Sequence, residues 1–130
     1  MDTPKQHDEP TPRKAAIRRA DALLWKQFPG HFGQALSKEI VSRETLGSEH
    51  LDYRLSCYEP GAYVARHSHR RQEQIYHILR GRGLVILDGR GTPVGPDDVI
   101  FIPPFVEHEL HCTGIDELVL LVITSPQSDD

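Results

Sequence analysis

From Pro29-Gly30 onward, short apolar runs alternate with turn residues, and the runs carry the two-residue period of strands rather than the 3.6-residue period of helices. Runs rich in β-branched and aromatic residues predict strands over 35–41, 51–58, 62–66, 74–79, 84–88, 98–102, 107–112 and 118–123. Asp88-Gly89 suits a two-residue hairpin, because both central positions of a type I′ turn need positive φ. Pro60-Gly61, Gly81-Arg82-Gly83, Gly95-Pro96 and Thr113-Gly114 supply further reversals. With no helical pattern between the strands, the expected fold is all-β, a sandwich or a small barrel. Ahead of it, Ile17, Ala20, Leu24 and Phe28 fall near helical spacing, although a short extended piece fits as well. Residues 1–14, with Pro4, Pro10 and Pro12 among polar side chains, predict a disordered arm. The expected organisation is an arm (1–14), a segment packing on the body (15–34), the β body (35–126) and a short tail (127–130), with no internal repeat.

Several strands are apolar on both faces. Ile75 and Leu79 lie opposite Tyr76 and Ile78, while 99–102 and 118–123 have no polar face. A lone two-sheet domain buries one face of each strand and wets the other. The second face therefore needs cover, either from the N-terminal segment or from another subunit, and a symmetric homodimer is the expectation.

Size and charge narrow the function. A chain of 130 residues predicts one domain with one core. No apolar run reaches the length of a membrane span, and 1–14 has no apolar stretch of the kind a secretory signal carries, so a cytoplasmic protein is expected. The net charge of −4 removes the electrostatic footprint of nucleic-acid binding; Arg13, Lys14, Arg18 and Arg19 form a local basic cluster best read as solvated. Cys57 and Cys112 sit inside apolar patterns and are expected as free thiols.

The chemistry concentrates in His67-Ser68-His69, Gln74 and His108. On an extended segment the side chains at i and i+2 point the same way, so His67 and His69 present two imidazoles on one face. Neutral imidazole is the commonest ligand of divalent first-row metals, and the group reads as one metal site. Gly61 through His67, His69 and Gln74 to Gly81 resembles the first motif of the cupin superfamily, and Asp97 through Pro103 and His108 to Cys112 resembles the second. The resemblance implies a jelly-roll β-barrel, a double-stranded β-helix with one divalent transition metal ion per chain, zinc, nickel, iron or manganese, on His67, His69 and His108.

At the fourth position, where cupins usually carry glutamate, the spacing lands on Gln74, with Glu73 just before it; alternation allows only one of the two to face inward. A neutral amide would leave the metal its full charge and make it a stronger Lewis acid. In the second motif Asp97 and Phe105 stand where the family has glycines, Phe105 being either part of the pocket mouth or a loop anchor, and Cys112 replaces the usual asparagine. Four strand positions put Cys112 about 13 Å from His108, which suits a core thiol.

Tyr76, two residues beyond Gln74, should share the cavity and is the candidate proton donor, with core packing as its other role. His77 and His111 fall on the faces opposite Gln74 and His108, as surface or interface side chains, His31 and His50 in turns, and His7 in the arm; Tyr53, Arg54, Tyr63 and Arg66 are further possible pocket residues. Two functions follow: a metal-dependent isomerase, lyase or dioxygenase acting on a small carbonyl, hydroxy-acid or sugar-derived substrate, or a non-catalytic module binding a sugar or carboxylate. A purely structural metal is disfavoured, since structural zinc prefers closed, cysteine-rich sites.

Overall fold

The computed structural model describes residues 14–130, so the expected arm lies outside the described residues except for Lys14. A 3-10 turn at Ala20–Ala22 is the only helical piece of the N-terminal segment. The helical alternative for 15–28 fails because Ile17 and Leu24, 99% and 79% exposed, have nothing to pack on. Polar ties hold this segment instead: Arg18 Nη1 donates to Ile40 O (2.9 Å) and Lys38 Nζ to Ala20 O (2.9 Å).

The strands are β1 (Lys26–Gln27), β2 (His31–Phe32), β3 (Ala35–Val41), β4 (Asp52–Tyr58), β5 (Tyr63–His67), β6 (Glu73–Arg80), β7 (Gly83–Leu87), β8 (Arg90–Val94), β9 (Val99–Ile102), β10 (His108–Cys112) and β11 (Leu118–Ser125), with a one-turn helix α1 (Arg43–Leu46) between β3 and β4. All eight expected strands form, their ends shifted by at most two residues. β1, β2 and β8 were not anticipated. β8 hides its nature because only Val94 is buried and Pro93 interrupts it, as an edge strand allows. The Asp88-Gly89 hairpin forms with positive φ at both residues (48° and 82°), pairing Leu87 with Arg90.

The strands make two antiparallel sheets, in the orders β1-β3-β4-β11-β6-β9 and β2-β5-β10-β7-β8, packed face to face as a jelly roll. Ile78, Leu110, Leu118 and Leu120 are fully buried between them. Along β11 the inward positions run from Leu118 and Leu120 through Val122 to Thr124, which pairs with Gln74 on one side and Asp52 on the other. The interior is thus apolar at one end and polar at the other, and the polar end is where a ligand can be admitted.

The outer face of the larger sheet stays apolar. Leu79, Val99 and Phe101 are 41%, 59% and 56% exposed, and Trp25, Leu36, Leu55, Cys57, Leu79 and Val119 border a shallow groove. Both cysteines are free, and Cys112 is buried.

Candidate metal centre

His67 ends β5 and His108 begins β10, and the register makes them direct cross-strand partners. Their ring centroids lie 4.1 Å apart. The ladder then slips, since Leu110 pairs with Val64, and such a bulge beside a site re-aims side chains. His69, two residues past β5, closes the triangle with centroids 5.0 Å from His67 and 5.4 Å from His108. One ligating atom from each of the three histidines lies within 4.8 Å of the others.

The hydrogen bonds settle which ring nitrogen faces inward. Nδ1 of His67 donates to Ala65 O (2.8 Å), Nδ1 of His108 to Val106 O (2.9 Å), and Nδ1 of His69 to the Asp129 carboxylate (3.2 Å). A carbonyl or carboxylate oxygen only accepts, so each Nδ1 carries a proton, and Nε2 is the nitrogen left to face inward. Burial, reinforced by neighbouring histidines against the Ala65 carbonyl, lowers the His67 pKa. The same balance of burial and the other two rings against the Val106 carbonyl lowers His108 to about 4. Both rings are neutral at neutral pH, the form that ligates.

Gln74 projects inward. Its Nε2 donates to Thr124 Oγ1 (3.0 Å) and its Oε1 lies 3.0 Å from Nε2 of His108, while Glu73 is exposed. With its proton on Nδ1, His108 turns a lone pair toward the amide oxygen, and two acceptors at that distance call for a cation. Nε2 of His69 is buried without a hydrogen-bond partner. Turning the Gln74 amide over would satisfy His108 and leave His69 orphaned. A buried, unpartnered ring nitrogen beside one pair of facing acceptors is a donor set that fits a divalent metal.

The cavity in front of these residues has a volume of about 180 Å³, and His67, His69, Gln74 and Tyr76 line it. Tyr76 sits edge-on to His108, centroids 6.2 Å apart, and burial raises its pKa well above the ordinary range, so the phenol stays protonated. Burial, with a smaller contribution from Tyr76, does the same to Tyr58. Arg54 also lines the cavity; it holds Asp52 through two bonds (2.8 and 3.1 Å) and lies over the Phe28 ring.

The remaining sequence candidates lie elsewhere. Tyr63 stacks between Phe32 and His111 on the outside of the smaller sheet, Tyr53 is partly buried outside the cavity and Arg66 is exposed. His77 faces Asp97 on the outer side and His50 is exposed. Phe105 is 73% exposed and neither lines the cavity nor anchors the loop in the core. Both Asp97 and Phe105 have positive φ (69° and 70°), the conformation for which the family keeps glycine there. Sequence reasoning missed His31, Ser37, Asp52, Ser56, Gln72 and Gln127 on the wall, and Asp129 behind His69. Asp52-x-Arg54, two inward positions of one strand, was the one readable signal among them.

Among solved structures, a predicted oxalate decarboxylase from Thermotoga maritima superposes with a TM-score of 0.77 at 23% identity, over 85% of this chain and 99% of that one. KdgF from Halomonas sp. gives 0.73 at 21%, over 90% and 98%. The polyketide cyclase RemF from Streptomyces resistomycificus gives 0.75 at 19%, over 86% and 80%. At these identities the likeness concerns the fold. In sequence, an uncharacterized protein of Methanocaldococcus jannaschii is 38% identical over 66 residues, 51% of this chain and 53% of that protein, so this chain spans about half of its length. An oxalate-binding protein of Thermotoga maritima is 27% identical over 94 residues, 72% of this chain and 78% of its own. A family model for the cupin domain matches residues 54–124, from Arg54 on the cavity wall to Thr124 beside Gln74 and so across every residue of the histidine cluster, and the chain belongs to the cupin family.

Proposed function

We propose that this chain is a metal-dependent enzyme of isomerase, lyase or dioxygenase type, acting on a small carbonyl, hydroxy-acid or sugar-derived substrate. The observation that supports it is the set of three imidazoles, each with its Nδ1 proton committed to an oxygen, converging beside the inward amide oxygen of Gln74. His67, His69, Gln74 and His108 would hold the metal, which when bound supplies Lewis acidity and, if it is iron, oxygen chemistry. These four donors carry no charge, so the site favours substrates bringing anionic or vicinal oxygens.

Tyr76 contributes a neutral O–H that donates to a substrate oxygen and does not act as a base. Ser37, Ser56 and Thr124 offer hydroxyls along the wall, and Asp52 fixes the Arg54 guanidinium so that its remaining donors face a fixed point. The likeness to the oxalate-binding protein supports a second reading, a carboxylate-binding module without turnover. We further propose a cytoplasmic homodimer that covers the apolar outer face around Val99 and Phe101.

The deciding experiment begins with metal analysis of protein purified without an affinity tag, alongside the His67→Ala/His108→Ala double variant. Full occupancy in that variant would refute the site. A panel of keto acids, uronates and diols, followed for turnover and oxygen consumption, then separates the readings: saturable binding with no turnover favours the binding module. Sedimentation as a monomer at micromolar concentration would refute the dimer.

A further inference from the structure

Two of the three histidines are oriented by their own strands. His67 and His108 each rest Nδ1 on the carbonyl two residues earlier, Ala65 O and Val106 O, so local backbone sets the ring. His69 lies beyond the end of β5 and has no such support. Its Nδ1 instead meets Asp129, sixty positions along the chain.

Asp129 is itself held. Its Oδ1 accepts from the backbone amides of Arg71 (2.9 Å) and Gln72 (3.1 Å), which leaves Oδ2 for the ring. Around it the 126–130 segment is fastened to the same loop: Gln72 Nε2 donates to Pro126 O (3.0 Å), Arg70 Nη2 to Asp129 O (3.3 Å) and Arg71 Nη1 to Asp130 O.

We propose that Asp129 is the positioning residue of the metal centre: a carboxylate from the far end of the chain that locks His69 in its Nδ1–H tautomer and aims Nε2, buried and unpartnered, at the other two rings. The inference rests on reading the cluster as a metal site. Carboxylates behind ligating histidines fix the tautomer and raise ligand basicity, and losing one costs about 10–100-fold in metal affinity. Because one oxygen is anchored to two amides, Asp129 delivers this through a preset geometry rather than a mobile side chain.

Asp129→Asn tests it. Asparagine keeps an acceptor for the two amides but turns an N–H toward the Nδ1–H of His69, so docking of the segment survives while the ring loses its partner. In metal-free protein, nitrogen NMR should show His69 as the Nδ1–H tautomer, and the variant should lose that preference. Titration with Co²⁺, followed by its visible absorption, should show affinity falling about 10–100-fold in Asp129→Asn. Arg71→Ala, which loosens the segment and keeps the carboxylate, should stay within about twofold of wild type, well short of the loss of an orienting carboxylate. Equal Co²⁺ affinity in wild type and Asp129→Asn, equal weakening in both variants, or an Nε2–H tautomer in the wild type would each overturn the proposal. A wild type that shows the Asp129-dependent tautomer yet takes up no Co²⁺ would refute the metal reading and leave Asp129's hold on the ring standing.

Discussion

Gly61 and Gly81 bracket the first histidine motif and share a left-handed backbone, with φ of 85° and 88°, yet their replacement by alanine should cost very different amounts. A Cβ at Gly61 meets nothing within 4 Å. Gly61→Ala therefore pays only the backbone term, about 1–2 kcal/mol for an L-residue held at positive φ. A Cβ at Gly81 would lie 2.2 Å from Glu117 O and 2.8 Å from Leu118 Cα. Both are backbone atoms at the start of β11, next to the fully buried Leu118, so no side-chain rotation relieves the clash. Overpacking of this kind adds about 1–3 kcal/mol, bringing Gly81→Ala to about 2–5 kcal/mol out of a total stability of about 5–15. At about 4 °C per kcal/mol for a domain of this size, the melting temperature should fall by about 8–20 °C, against about 4–8 °C for Gly61→Ala. Thermal unfolding of the metal-free proteins, followed by near-ultraviolet circular dichroism, measures both. Equal losses would refute the contact argument and leave only the backbone term.

Gln74→Ala should lower metal affinity substantially while Glu73→Ala leaves it near wild type, because only Gln74 faces His108; isothermal titration with Zn²⁺ decides, and the reverse order would refute the assignment. Phe105→Gly should raise stability by about 0.5–1 kcal/mol, since relief at a φ of 70° exceeds the entropy lost to glycine and the exposed ring gives up little packing; denaturant midpoints at constant m-value read it out. Burial, joined by Glu117, raises the Cys57 thiol to about 11, so it remains protonated at neutral pH. Its alkylation by iodoacetamide should climb about tenfold per pH unit through pH 10, whereas a plateau near pH 9 would contradict the shift.

Period-two alternation and turn residues were enough to place eight strands and the 88–89 hairpin, because strand faces and positive-φ turns are local properties. The same alternation put His67 with His69 and Tyr76 with Gln74 on shared faces, while motif spacing tied them to His108, 34 positions beyond Gln74, and left Glu73 as the alternative to Gln74. It missed β8, whose single buried residue carries no period, and left 15–28 open because apolar spacing says nothing about whether a surface exists to receive it.

Tertiary structure decided what depends on register and distance. It turned the Gln74 amide toward His108 and left Glu73 outside, and it set Phe105 at a glycine's backbone angle on the surface. It made Gly81 a packing position and Gly61 an open one, although the sequence writes both alike. Above all it brought Asp129 to His69: a contact between residues sixty positions apart leaves no periodic trace, since it exists only once β6 and β11 pair and carry the end of the chain back over the loop that follows His69.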